Sequence, residues 1–425
     1  SWVVNHGRQI MKLGYLLLAT AGQSYESGVT RYGRCLATAA RSHHSVLEQT
    51  VVLTHDSRHN SDLLRRAAMA LAQSDLIHFQ YSPFLWGEGR PHLHHLQGWL
   101  GEMARRSLPW VVTLHDVHQQ LYPPQSVWQV LQAERRKYKH LSGLQRLALR
   151  TTWRYMWHRY GADRQAMRLL LQQAGAILTC HRQEKQRLAH FEGAQRIKVI
   201  PHFVASVSSL PLPEGPSPGG PSPGELSPGS CSTAVAKSKL GLSAQTVIIL
   251  QGFIYPRKGH ALAIEALGQL PETVHLVFAG AVVDGQAQLL KGLWALAKQY
   301  QVEHRLTVTG YLCDADLDLY LRASDLAICP FETLSASGSL SRWIAHETPI
   351  LATNLPQIET YNQRVPGAIA TFSPYTAAAL AEAILTQLAQ PPLPQARQQL
   401  RSQLSLPQIF ERHVECYAEV LEDVP

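Results

Sequence analysis

Residues 247–259 read VIILQGFIYPRKG, and this stretch decides how the chain folds. Val247–Leu250 is an unbroken apolar run, as expected of a strand covered on both faces of a parallel sheet. Gly252 turns the chain, Arg257 and Lys258 form a basic pair, and Gly259 opens the helical pattern HALAIEALGQL. The sequence therefore places two cations at a helix N-terminus on the carboxyl edge of a parallel strand. Helix amides and fixed positive charge converge there on an anion, most commonly a phosphate. A second small-residue turn into a helix follows in SASGSLSRW, Ser335–Trp343. Two such cradles in one half of a chain imply a diphosphate. The plain alternatives are a solvated Arg-Lys pair at the first and an ordinary N-capped helix start at the second, since Ser caps well.

Outward from this stretch, apolar runs alternate with helical patterns in both directions. Strands are expected at Leu13–Leu18, Gln49–Leu53, Leu76–Gln80, Trp110–Leu114, Ala176–Thr179 and Lys198–Ile200. Beyond Leu250 they are expected at Val274–Ala279, Leu306–Gly310, Leu326–Cys329 and Ile350–Thr353. Amphipathic segments such as Gly28–Ala40 and Ser61–Ala72 lie between them. Strand and helix in alternation mean parallel sheets covered on both faces, an α/β class with two doubly wound, Rossmann-like domains. Residues 211–230, PLPEGPSPGGPSPGELSPGS, interrupt the pattern with a composition that buries no apolar surface. The expected organisation is a first domain at 11–204, a Pro/Gly/Ser-rich linker at 205–239, a second domain at 240–400, and a C-terminal helix at 401–425 packing back on the first domain.

The bulk properties agree with this. At 425 residues the chain is too long for one core. Its 45% hydrophobic and 16% charged content is that of a globular protein. No window approaches the roughly 20 apolar residues of a membrane span. Lys12 followed by LGYLLLATA is read as a buried first strand rather than a signal peptide, and the ten residues before Met11 as an upstream extension. Six cysteines with no paired spacing argue against a disulfide framework or zinc site and are consistent with a reducing cytoplasm. A net charge of +8 attracts phosphates, nucleic acid or anionic lipid without choosing among them.

Several motifs, loose alone but specific in their order, resemble one family. They are SGVTRYGRCLA (27–37), LIHFQYSP (76–83), VVTLHD (111–116) and KVIPHFV (198–204) in the first half. In the second half they are GFIYPRKGHALAIEAL, LVFAG (276–280), GYLCDADLDLYLRASDLAICP (310–330) and PILATNLPQIE (349–359). Together these resemble the retaining glycosyltransferases of family four, glycosyl transferases group one, which have the GT-B architecture of two Rossmann-like domains facing a cleft.

The resemblance implies that Lys258 grips the donor diphosphate, where negative charge builds as the leaving group departs. The family's usual Arg after the earlier glycine is Phe253 here, so Arg257 is assigned the second charge. Gly252 and the turn of Ser337, Gly338, Ser339 and Leu340 are assigned to donor binding, small residues letting amides approach a phosphate. Gly28 would leave room for the phosphates, or would be a plain backbone requirement. The family's pair of glutamates falls, counting back from Thr348-Pro349, on Leu334 and Arg342, neither acidic. Branches with an SGS-type turn also lack the full pair. Glu332 and Glu359 are the remaining acidic donor-side choices. His115 is assigned to the reacting sugar, and Asp116, His78 and His202, read as lying at strand ends, to the acceptor side. His118 completes an H-D-x-H spacing, but without a third ligand no metal is expected, and no cofactor beyond the donor substrate.

Residues 134–168 carry ten Lys/Arg against two acids, interleaved with Trp153, Tyr155, Trp157 and Tyr160. This segment suits peripheral contact with an anionic membrane, with a solvated helix face as the alternative; nucleic acid is not expected as a partner. The expected activity is transfer of a sugar, with retention, from a nucleoside-diphosphate sugar to a saccharide or lipid-linked acceptor in glycan synthesis. The expected location is cytoplasmic, at the inner face of the membrane if that contact is made. The rivals are another GT-B chemistry, such as an epimerase or phosphorylase, a non-catalytic nucleotide-sugar binder, and a nucleic-acid binder using the basic aromatic segment.

Overall fold

The computed structural model describes residues 4–5, 8–21, 27–86, 90–115, 161–204, 232–283, 286–334 and 337–423. Two compact units emerge, Ser1–Pro201 with Leu406–Pro425, and His202–Ser405.

The first unit is built on strands β1 (Lys12–Thr20), β2 (Ser45–Leu53), β3 (Leu76–Tyr81), β4 (Trp110–Leu114), β5 (Ala176–Thr179) and β6 (Ile197–Val199). They form one sheet in the order β2-β1-β3-β4-β5-β6, with every pairing parallel. Helices α1 (Gly28–Ala40), α2 (Ser57–Leu71), α3 (Arg90–Arg105), α4 (161–173) and α5 (Arg182–Leu188) connect or flank them. Helix α2 starts four residues earlier than its apolar pattern suggests, because the Asp56 carboxylate accepts from the amides of Arg58 and His59. An aromatic cluster sits under the sheet, with the Phe79 ring 5.7, 6.0 and 5.3 Å from Trp86, Trp99 and Trp110.

The second unit repeats the design. After α6 (Thr233–Lys239) come β7 (Thr246–Gln251), α7 (His260–Leu267), β8 (Val274–Ala279), α8 (Ala287–Gln299), β9 (Leu306–Val308) and α9 (Asp314–Ala323). Then follow β10 (Leu326–Cys329), α10 (Gly338–Ala345), β11 (Ile350–Thr353), α11 (Pro356–Arg364), β12 (Ala370–Phe372), α12 (Ala377–Ala389) and α13 (Pro394–Gln403). The sheet order is β9-β8-β7-β10-β11-β12, all parallel. The strand order reverses between β7 and β10, and at such a point the loops leaving the two strands diverge to opposite faces and open a crevice. Ile248, Leu250, Leu276, Phe278 and Ile328 are buried, which is why these strands read as continuous apolar runs.

Further boundaries differ from the sequence reading. Thr233–Lys239, expected within the linker, is helical. Ser232 caps it and Lys237 Nζ lies 2.5 Å from Asp325, so these residues have a place to pack that the Pro/Gly tract lacks. Residues 205–231 lie outside the described residues. The strand expected to run to Gly310 ends at Val308, and Gly310 takes the left-handed φ of 72° that a glycine turn allows. The sixth strand, Ala370–Phe372, has three residues and no alternation to announce it.

Helix α14 (Leu406–Glu422) belongs to the first unit although it follows the second in sequence. Its apolar stripe, Ile409, Phe410, Cys416, Tyr417 and Val420, is buried at helical spacing, and Val420 fills the space where Gly175 has no side chain. Among the described residues no helix is long and apolar enough to cross a membrane.

Candidate functional site

In the second unit the loops after β7, β8 and β10 and the start of α10 meet at the carboxyl edge of the sheet. Gly252, directly after β7, has φ 107°, and a Cβ there would run into Lys258 Nζ. Gly280, directly after β8, leaves room for the backbone of Gly252 in the same way. Gly259 (φ 90°) caps α7 against the carbonyl of Pro330, and the Glu332 amide donates to the Arg257 carbonyl at 3.0 Å. These close backbone approaches stitch the two loops on either side of the crossover into one wall.

Lys258 is held inside that wall. Its Nζ donates to Ser339 Oγ at 3.4 Å and lies 5.5 Å from the ring centres of both Tyr255 and Phe331. The residue is 5% exposed. Burial pushes its pKa down from 10.5 to about 8, opposed by the neighbouring Cys329 thiol; no Asp or Glu of the described residues acts on it. A buried ammonium is costly unless an anion joins it, so the geometry is that of an anion site.

The turn at Ser337 completes it. Ser337 Oγ accepts from the Leu340 amide at 3.2 Å and lies 3.0 Å from Ser339 Oγ. That bond uses the Leu340 amide for the cap, so of the four residues assigned from sequence Gly338 and Ser339 supply the first-turn amides that point out of the helix. The Leu340 side chain itself is buried.

The structure sorts the remaining donor-side residues. Arg257 is exposed, with a left-handed φ of 71°. Glu332 is exposed beside it, on the same tied loops. Glu359 is exposed in the first turn of α11, where an acid is favoured by the helix dipole alone. At the positions of the family's glutamate pair, Leu334 is buried and Arg342 pairs with Asp314 at 2.8 Å.

His202, assigned to the acceptor side of the first domain, lies instead in the second unit, in a loop against α10. Its Nδ1 is 2.7 Å from the Phe203 carbonyl and 3.0 Å from Ser341 Oγ, which leaves the Ser341 hydroxyl to donate to the Ser337 carbonyl at 3.2 Å. Burial holds its pKa down to about 4, the bond to the Phe203 carbonyl notwithstanding, so the ring is neutral at pH 7.

In the first unit, Gly28 opens α1 after the Ser27 cap, and no described atom lies within 4 Å of where its Cβ would be. The described residues of the unit therefore do not demand glycine there. His115 follows β4 and is buried, its Nε2 2.8 Å from Gln80 Oε1 and its ring edge-on to Tyr32 at 5.1 Å. His78 departs from expectation. It sits in the middle of β3, 1% exposed, with Nδ1 2.6 Å from Tyr417 Oη and Nε2 2.8 Å from Thr113 Oγ1. It belongs to the core because β3 is buried along its whole length and His78 faces α14, where Tyr417 meets it. Asp116, His118 and the basic aromatic segment to residue 160 lie outside the described residues. Among the described residues no cluster of three or more His, Cys, Asp or Glu could hold a metal.

Residues 245–390 match the family described as Glycosyl transferases group 1. This part of the chain is similar to the group 1 glycosyltransferases. Over the whole chain the fold is similar to that of HepE from Anabaena in complex with UDP and glucose: TM-score 0.66, 16% identity, 96% of this chain and 99% of that one. It is similar also to sucrose-phosphate synthase from Thermosynechococcus elongatus, with TM-score 0.64 and 17% identity over 97% and 99% of the two chains. WaaG, a glycosyltransferase involved in lipopolysaccharide biosynthesis, gives TM-score 0.57 and 17% identity over 95% and 98%. None of the curated proteins compared with the chain matches it. The two parallel sheets with flanking helices are thus the GT-B fold of these enzymes.

Within the second unit, the sequence singled out Lys258 and the Ser337 turn but not Ser341, Tyr255 and Phe331, which pack with them. Ser341 was detectable only as the residue four beyond the Ser337 cap, where its hydroxyl reaches back one turn. The aromatic pair beside Lys258 carries no signal, because Phe331 reaches it from another strand's loop.

Proposed function

We propose that the chain transfers a sugar from a UDP-sugar, with retention of configuration, to a saccharide or lipid-linked acceptor. The observation that carries this is Lys258: a buried ammonium with no acid beside it among the described residues, aimed at the turn of Ser337 and Ser339 in the stretch similar to group 1 glycosyltransferases. Lys258 would neutralise the distal phosphate as the glycosidic bond breaks, with Arg257 adding charge at the rim. The amides of Gly338 and Ser339 would hold the diphosphate, Gly252 would let the lysine lie flat against the loop, and Gly28 would leave room for the donor. His115 would orient the transferred sugar. The leaving phosphate would itself draw the proton from the acceptor on the same face, so no separate protein base is required. The UDP-glucose complex of HepE supports the choice of a UDP-sugar.

The expected setting is cytoplasmic glycan synthesis, with residues 134–168 as the proposed membrane contact. The experiment is a thermal-shift comparison of UDP-, GDP- and ADP-sugars followed by turnover with the best binder. UDP-glucose or another UDP-sugar should raise the melting temperature and be consumed only when an acceptor is present. No shift with any of them would overturn the reading. A second reading, a non-catalytic nucleotide-sugar binder, draws on Leu334 and Arg342 standing where the family's acids would be. It predicts the same thermal shift with no UDP released under any acceptor.

A further inference from the structure

Helices α9 and α10 run side by side in register. Arg342 Nη2 is 2.8 Å from Asp314 Oδ1, and one turn further on His346 Nε2 is 3.3 Å from Asp318 Oδ1. Four residues onward on one helix match four onward on the other, so the two are parallel, and both begin at the carboxyl edge of the sheet. Carried past the start of α9, the same register brings the loop at 309–313 up beside Gly338, the first residue of α10. Gly310 and Gly338 are both open: among the described residues no atom lies within 4 Å of where either Cβ would be. Arg342 is one turn, about 6 Å, along α10 from Gly338, and helix side chains lean back toward the N-terminus. The Arg342–Asp314 pair is therefore the floor of a notch beside the amides of Gly338 and Ser339.

Stability does not account for the pair. Each side chain is 24% exposed, and an ion pair that water reaches contributes little to folding. A bare carboxylate so near a diphosphate cradle would repel the ligand, whereas Asp314 paired with Arg342 adds no net charge there. A neutralised carboxylate still accepts hydrogen bonds. It has about four acceptor sites, so the bond from Arg342 does not exhaust it, and its natural donors are hydroxyls. Lys258 reaches the cradle through Ser339 and is assigned the phosphate from which the sugar leaves. The group that continues from the diphosphate on the Gly338 side is then the nucleoside, whose ribose presents two adjacent hydroxyls. We infer that Asp314, held by Arg342, accepts from the ribose hydroxyls of the donor nucleotide, and so supplies from α9 the carboxylate that position 342 of α10 lacks. This rests on the reading of the second unit as a UDP-sugar site. Asp314 is a specificity residue for the nucleotide, and Arg342 is a positioning residue that acts through it.

The test is titration calorimetry on the full chain with UDP, 2′-deoxy-UDP and 3′-deoxy-UDP, with thermal unfolding of each variant to show that it is folded. The unaltered protein should bind UDP at least about tenfold more tightly than one of the deoxy ligands, as when a charged acceptor loses its donor. Asp314→Ala should bind UDP more weakly and erase that preference. A preference that survives intact in Asp314→Ala overturns the inference, and so does equal affinity for all three ligands in the unaltered protein. Arg342→Met leaves the carboxylate uncompensated beside the diphosphate, so UDP should bind several-fold more weakly, most of all at low salt. Unchanged or tighter binding would reject the positioning role of Arg342.

Exchanging the pair, Arg342→Glu with Asp314→Arg, returns one acid and one cation to the seam with the acid now on α10. This variant should regain the preference for UDP that Asp314→Ala lacks. A folded exchange variant without it would show that the two positions do not share the role. The outcomes separate cleanly from the parent reading. A protein that binds none of the three ligands fails as a UDP-sugar site, and the inference fails with it. A protein that binds UDP, with its preference untouched in Asp314→Ala, keeps that reading and loses only Asp314.

Discussion

At the residue scale, Lys258 carries most of the consequences. Its burial holds the pKa at about 8, below the 10.5 of an exposed lysine. The unfolded chain therefore binds more protons than the folded one between those values, and stability rises with pH across that window. Below pH 8 the full cost of the buried charge is present, on the order of 3 kcal/mol. Lys258→Met should raise the unfolding free energy of the unliganded protein at pH 7 by a sizeable part of that amount. The gain should fade above about pH 10.5, where lysine is neutral in both states. The same variant should abolish binding of UDP-sugars, so a more stable but inactive protein is the diagnostic result in paired calorimetric melts and binding titrations. In the unaltered protein, donor affinity should fall as pH rises through about 8, as the free ammonium loses its proton. Gly252→Ala would place a methyl against the ammonium at a left-handed φ. It should weaken donor binding and cost on the order of 1–3 kcal/mol in denaturant unfolding. Lys258 was legible in the sequence because strand, glycine, basic pair, glycine and helix are consecutive. That it is buried between Tyr255 and Phe331 was not, since those rings come from two different loops.

At the element scale, helix α10 joins its own N-terminal cap to the side chain of Lys258, which donates to Ser339 Oγ. Ser337 accepts from the Leu340 amide, and His202 and Ser341 brace the Ser337 carbonyl. Ser337→Ala should cost about 1 kcal/mol of stability through the lost cap. It should also weaken UDP binding, because Ser337 and Ser339 hydroxyls lie together beside Lys258; a stability loss with unchanged affinity in titration calorimetry would assign Ser337 to the cap alone. The start of α10 could be read from SASGSLSRW, but not its neighbour. His202 sits in IPHF, which resembles the end of a first-domain strand, and only the fold carries it to α10. The elements with long apolar runs were read well for a related reason: a strand buried on both faces has no choice but to be apolar throughout. Ala370–Phe372, on the sheet edge, is under no such constraint and gave no signal.

At the scale of the whole molecule, the first unit is discontinuous in sequence and is completed by Leu406–Glu422. A stop codon after Ser405 should leave His78, Tyr15 and Tyr32 without their α14 partners and lower the melting transition of the first unit markedly. Stabilisation by UDP-sugars should survive, because the anion site lies wholly within His202–Ser405; loss of both together would show that the second unit does not hold its site alone. The sequence by itself determined the alternation of strand and helix, the break at the Pro/Gly tract, and the glycine-flanked basic turn that carries Lys258, since each of these is a local pattern of side-chain type along consecutive residues. Tertiary structure alone decided which distant groups meet. It buried His78 as a core residue between Tyr417 and Thr113, and set His202 against Ser341 of the second unit's α10. Periodicity along a chain reports which face is apolar, whereas hydrogen-bond partners hundreds of residues apart are chosen by strand order and packing.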